Sequence, residues 1–142
     1  MRPSISVAIA GLVWFSTDAS AQQNKEKYEL QERCGRHAAE VFAREYSPVS
    51  NSEDGQTLVN YENHYSARLN KCFFLEIAMS YEREEGKPGS KIMRLFDLSD
   101  NKEYGAFASG PTESTPLACV VRGKGCQSES EWRQLAKPFM ED

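Results

Sequence analysis

Apolar residues recur at helical spacing in residues 24–46, where Leu30, Cys34, Ala38, Val41 and Phe42 share one face and Glu32, Arg33, Arg36, Glu40 and Arg44 lie largely on the other. This predicts an amphipathic helix that stops before Pro48. Residues 47–56 are rich in Ser, Asn, Asp and Gly and predict a surface loop.

From Leu58 the period changes to two. Val59, Tyr61, Asn63 and Tyr65 alternate with polar neighbours, and Phe73, Leu75, Ile77, Met79 and Tyr81 alternate with Cys72, Phe74, Glu76 and Ala78. Two antiparallel strands joined through Ala67 to Lys71 fit this pattern. With Ser66 facing Cys72, Tyr65 meets Phe73 and Tyr61 meets Ile77, giving one continuous apolar face. Lys87-Pro88-Gly89-Ser90 reads as a turn, Lys91 to Leu98 as a third strand with Ile92, Phe96 and Leu98 on that same face, and Lys102 to Ser109 as a fourth after a turn at Asp100 and Asn101. Cys72 then lies on the opposite face with Phe74, Ala78, Met93 and Leu95. Either the N-terminal helix covers part of that second face, or Cys72 sits at the sheet rim. Ser128 and Glu131 make a capping box ahead of Trp132, Leu135, Ala136 and Phe139, so a closing helix follows, with Pro138 ending or kinking it. The expected class is α+β: a helix, a four-stranded antiparallel meander, a disulfide loop and a helix packed on the sheet.

The N-terminus does not belong to that domain. Arg2, an apolar stretch from Ile5 to Phe15 and the small residues Ala19-Ser20-Ala21 read as a secretory signal peptide over residues 1–21, leaving a single domain at 22–142. The apolar stretch is too short to span a bilayer, which takes roughly 20 residues. Overall, 17 Lys and Arg stand against 21 Asp and Glu, a net charge of -4. That balance argues against nucleic acid as a partner, because phosphate neutralisation needs a basic face.

Export changes the meaning of the cysteines. Cys34, Cys72, Cys119 and Cys126 follow the expected cleavage site, and in an oxidising compartment four cysteines predict two disulfides. Of three connectivities, Cys119 with Cys126 is favoured because Gly123 and Gly125 let the short loop bend, which leaves Cys34 with Cys72. In the chain-entropy model the two bonds contribute about 2.5 and about 4 kcal/mol. No CxxC occurs, so nothing suggests a thiolate metal site, and no cofactor is implied.

Chemistry has one candidate cluster. The proposed register sets Glu62 opposite Glu76 and His64 opposite Phe74, and a Cys34–Cys72 bond would bring His37, one helical turn from Cys34, near His64. Two histidines and two carboxylates suit metal binding or acid and base work, yet like charges placed directly opposite are disfavoured. Asp97, Ser99, Asn101 and Glu103 imitate alternating calcium ligands but lack the glycine and the terminal glutamate that such a loop needs, so a hairpin turn is expected there. The sequence has no GxSxG, phosphate loop or HExxH.

The run Asn60 to Phe73, containing Asn-His-Tyr and Leu-Asn-Lys-Cys-Phe, resembles a segment of small uncharacterised secreted proteins of Gram-negative bacteria. Lys102-Glu103-Tyr104-Gly105 and Lys137-Pro138-Phe139-Met140 are similar to the same group. The resemblance implies export and supplies no catalytic residue. The expected role is a periplasmic or secreted binding module, an inhibitor among the options, whose partner is a macromolecule or small ligand of the envelope. A small metal-assisted or acid/base hydrolase built on His37, His64, Glu62 and Glu76 is the alternative.

Overall fold

The computed structural model describes residues 17–83, 87–111 and 115–141. The order is α1 (Thr17–Glu45), β1 (Val49–Asn51), β2 (Gly55–Ser66), β3 (Lys71–Glu82), β4 (Pro88–Asp97), β5 (Lys102–Ser109), β6 (Ala118–Val121), β7 (Lys124–Gly125) and α2 (Glu129–Met140). The class is α+β with a helix at each end, as expected, but the sheet has seven antiparallel strands in the order of the chain rather than four. The additional strands are short. β1 has three exposed residues inside the expected surface loop, and β6 and β7 occupy the expected disulfide loop, where neither is long enough to show alternation. Arg122 and Gly123 join β6 to β7, both with positive φ (51° and 78°), as a two-residue hairpin turn of matching twist requires.

The pairing of β2 with β3 differs from the expected register by one residue. Tyr65 faces Cys72 and Ser66 faces Lys71, so the connecting loop has four residues instead of five. Asn70 makes this possible by taking a left-handed conformation (φ 52°), and its side chain accepts a 2.7 Å hydrogen bond from the Tyr65 hydroxyl. A one-residue slip turns every side chain of one strand to the other face relative to its neighbour. Tyr61, Asn63 and Tyr65 therefore share a face with Cys72, Phe74 and Glu76, whereas Glu62 and His64 lie beside Leu75 and Phe73. β4 is corrected in the same sense: Phe74 pairs with Phe96 and Ala78 with Ile92, while Leu75 pairs with Leu95 and Ile77 with Met93. Pro88, Gly89 and Ser90 belong to β4 and not to a turn, and Pro88 is its first residue, where a missing N–H is tolerated.

β3 is buried on both faces from Cys72 to Glu76, so the sheet needs a cover on each side. α2 supplies one. Trp132 and Ala136 pack with Phe73, Leu75, Met93, Leu95, Phe107 and Val121, and the fully buried indole donates a 3.1 Å hydrogen bond to the Val120 carbonyl. At its far end Phe139 meets Phe73 and Tyr104 at ring distances of 5.4 Å. α2 thus runs across the strands, from β6 to β2. Its length of about 18 Å matches four strand spacings of about 4.8 Å. The Ser128 cap forms as read from the sequence, with its hydroxyl accepting from the Glu131 N–H at 3.2 Å, and the helix continues two residues past Pro138.

α1 covers the other face chiefly over β2 and β3. Cys34, Ala38 and Val41 are buried there, and a closed group of rings (Phe42, Tyr46, Tyr61 and Phe74, with centroids 4.6 to 5.8 Å apart) seals its C-terminal half. Gln31 accepts a 2.8 Å hydrogen bond from the Tyr65 N–H, and the Asn60 side chain accepts one from Tyr61 N–H, so the open edge of β2 is partly capped. Residues 21–29 are all exposed, and the helix projects past the sheet there. Residues 1–16, including the apolar core of the expected signal peptide, lie outside the described residues.

Both disulfides form as favoured from the sequence: Cys34–Cys72 with Cα atoms 5.4 Å apart and Cys119–Cys126 with 5.1 Å. The first settles the question of Cys72, which lies under α1 on a covered second face. Replacing Cys34 and Cys72 together by Ala is expected to cost about 2 to 4 kcal/mol and lower the unfolding midpoint. Thermal melts give the cost, and non-reducing peptide mapping of the variant should still recover the Cys119–Cys126 crosslink.

Candidate functional site

A helix lying along a strand is about 10 Å wide and covers roughly two strands, so α1 leaves β4, β5 and β6 open on its side. Between the edge of α1 and this open half lies a cleft of about 310 Å³. His37, Val41 and Arg44, spaced one and two helical turns apart, form its helix wall together with Glu45. Phe74, Arg94 and Phe96 from β3 and β4 form the floor, closed at one end by Leu98 and Asn101 and at the other by Tyr46.

Glu76 organises the floor. It stands directly opposite Arg94 in the β3–β4 pairing and accepts a 2.9 Å hydrogen bond from Arg94 Nε and a 3.3 Å bond from the Tyr46 hydroxyl. Its side chain is only 11% exposed, whereas that of Arg94 is 42% exposed and lies 4.9 Å from the Phe96 ring centre. Burial, followed by the charge of Glu76, pushes the Tyr46 phenol above its ordinary range, so it remains a neutral donor. Burial works against the charge on Arg94, but the hydrogen bond and charge of Glu76 outweigh it and raise its pKa. On the helix wall, Arg44 pairs with its exposed neighbour Glu45 at 2.7 Å.

A second hollow of about 210 Å³ adjoins the first, shares His37 and has the Cys34–Cys72 bond in its wall. A cluster of charges at the β4–β5 turn is structural. Asp97 is fully buried, takes a 2.9 Å hydrogen bond from the Ser99 N–H and shares Lys71 with Asp100, closing the β4–β5 turn. The hydrogen bonds that Lys71 donates to Asp100 and Asp97 raise its pKa. This is the segment that imitated a calcium loop, and it is a hairpin end.

The four residues of the expected polar cluster are divided between the two faces. Glu76 sits on the α1 side beneath the cleft that His37 lines; Glu62 and His64 pair with Leu75 and Phe73, which belong to the α2 core. The one-residue register correction is the cause. Among the described residues no group of three or more His, Cys, Asp or Glu is placed to hold a metal ion. The hydrolase site assembled from His37, His64, Glu62 and Glu76 is therefore not formed. No protein-family model, curated protein or solved structure matches this chain.

Arg44, Tyr46, Arg94 and Phe96 went unrecognised in the sequence because each is an ordinary member of a helix or strand pattern. One signal was present. Glu76 is the single acid in the otherwise apolar run from Cys72 to Met79, and a buried acid in a strand requires a cationic or hydrogen-bonding partner on the same face.

Replacing Glu76 by Gln removes that partner's charge. The Tyr46 phenol is then expected to ionise at lower pH than in the unmodified protein, read by NMR titration of labelled tyrosine ring carbons. The loss of charge-assisted hydrogen bonds should reduce stability by about 1 to 2 kcal/mol, within the range for hydrogen bonds to partly buried charges. An unchanged Tyr46 titration would mean that Glu76 does not act on the phenol.

Proposed function

We propose that this protein is an exported, disulfide-stabilised binding module, periplasmic or secreted, that engages an envelope macromolecule or small ligand through the α1 side of its sheet. The observation that carries this reading is the open half of that face. Val59, Ala78, Ile92, Ala108 and Ala118 are successive cross-strand neighbours over β2 to β6, and Ala106 and Val120 lie beside them. Ile92 is 41% exposed and Val120 37%. An apolar row that runs directly into an aromatic and charged cleft offers a continuous recognition surface, whereas the cleft offers no nucleophile paired with a base.

Export is supported by the two disulfides and the leader-like composition of residues 1–21. No helix among the described residues is long and apolar enough to cross a membrane. Residues 22–29, just after the expected cleavage site, are exposed, and Leu30 packs against the small core under α1. The resemblance to small secreted proteins of Gram-negative bacteria points the same way and leaves the partner open, with inhibition of an envelope enzyme one form that binding takes.

Two measurements test this. Mass spectrometry of protein from its native host should give a chain starting at or near Gln22, and an intact Met1 in the cytoplasmic fraction would overturn export. Affinity capture from envelope extract should recover a partner that Ile92→Glu and Val120→Glu variants no longer hold, while Glu62→Lys, on the opposite face, still does. Capture that is indifferent to Ile92 and Val120 would remove the α1 side of the sheet as the recognition surface.

A further inference from the structure

Building on the reading of the α1 side as the recognition surface, we infer that the cleft binds an oxyanion carried on an apolar body, a carboxylate or phosphate monoester of an aryl or alkyl compound, with Arg94 as its fixed cation. Arg94 is prepared for this before any ligand arrives. Its Nε is held by Glu76 at 2.9 Å and its guanidinium lies over Phe96 at 4.9 Å, so the planar group is fixed in orientation and pays little entropy on binding. The Glu76 bond uses the Nε side, and the side chain, which lines the cleft, is still 42% exposed. A planar guanidinium favours a two-oxygen anion over a point charge of any other kind.

The helix wall brings a second guanidinium, Arg44, together with its partner Glu45, which also lines the cleft; Glu45 is 51% exposed, an ion pair that water already weakens and that an incoming anion displaces at small cost. The acid under the floor is Glu76, whose charge is met by Arg94 and Tyr46. The charges around the cleft are balanced, Arg94 against Glu76 and Arg44 against Glu45, so what draws an anion is the uncommitted N–H face of the Arg94 guanidinium and not a net positive field. Phe74, Phe96 and Leu98 supply the apolar contact, and a volume of about 310 Å³ lies at the small-ligand end of binding pockets.

The test uses the disulfide-intact protein from Gln22 onward and four probes in calorimetric titration: 4-phenylbutyrate, phenyl phosphate, 4-phenylbutan-1-ol and 4-phenylbutylamine. At least one of the two anions should bind, with the alcohol and the amine at least tenfold weaker. Carboxylate binding alone points to a fatty-acid-like ligand or a peptide C-terminus, and phosphate binding alone to a headgroup or free phosphoester. Arg94→Gln should weaken the anion by roughly 10- to 100-fold, the range for a lost charge-assisted hydrogen bond. Arg44→Gln, at an exposed position where folding is not at risk, should weaken it several-fold, and Arg122→Gln, stacked on Tyr104 on the other side of the sheet, should leave it unchanged. Equal binding of the alcohol, anion binding indifferent to both Arg94 and Arg44, or no anion binding would overturn the inference. The recognition reading fails independently, through the Ile92 and Val120 captures.

Discussion

The structure depends on the fact that β3 is apolar on both faces. From Cys72 to Leu75 successive side chains point alternately to the two sides of the sheet, and all four are buried. Such a strand cannot sit in a two-layer fold with one side in water. Each face must be covered, and the chain has one helix for each. The two helices solve the problem differently. α2 crosses the strands and reaches from β6 to β2, so its short apolar stripe serves the width of the sheet. α1 lies over β2 and β3 and protects the strands that most need it, at the expense of β4 to β6. The cleft and the open apolar row follow from that unequal division.

Register is the second constraint, and it follows from the first. Were Ser66 opposite Cys72, Glu62 would meet Glu76 directly across the pair, a repulsive arrangement. Shifted by one residue, Tyr61 stands opposite Glu76 and contributes to the ring cluster above it, while Tyr65 joins Cys34 and Cys72 in the small core under α1. The cost is a left-handed Asn70, small for asparagine and offset in part by the Tyr65 hydroxyl. Glu76 is then free to take Arg94 as its cross-strand partner on the other side. One buried carboxylate thus fixes a guanidinium, a phenol and the strand pairing together.

These relations explain what the sequence made legible. Long segments with a sustained period were readable: α1 from Leu30 to Phe42, β2, β3, β5 and the Ser128-capped α2 all occur where their patterns place them. The pairing of the cysteines was readable from loop chemistry, because Gly123 and Gly125 allow a short bridge. Faces and register were not. Periodicity reports that residues alternate but not which residue of one strand meets which of the next, and that choice rested on a loop length decided by the conformation of Asn70 alone. β1, β6 and β7 are too short to carry any period, and Arg-Gly is a weaker turn signal than Asn-Gly. The expected cluster of His37, His64, Glu62 and Glu76 failed with the register, while Arg94 became visible only once Glu76 had a face.

The disulfides bear on the cleft through geometry as well as stability. Each joins the sheet to the segment that least shares its hydrogen-bond ladder: Cys34 lies in a helix held by side-chain packing, and Cys126 follows a two-residue edge strand and leads into α2. A helix resting on only two strands is free to slide or tilt on a face of rings, because ring packing is weakly directional. The Cys34–Cys72 bond removes that freedom at one point. His37 is one turn from the bond and Arg44 is two further turns along, so the position of the helix wall relative to Arg94 is set by where Cys34 is anchored, with the Phe42, Tyr46, Tyr61 and Phe74 rings holding the other end. Fixed walls are what a small polar cleft needs in order to discriminate among ligands, since a guanidinium displaced by even 1 Å loses the alignment of its hydrogen bonds. The same crosslink that holds the fold together also holds the site in shape.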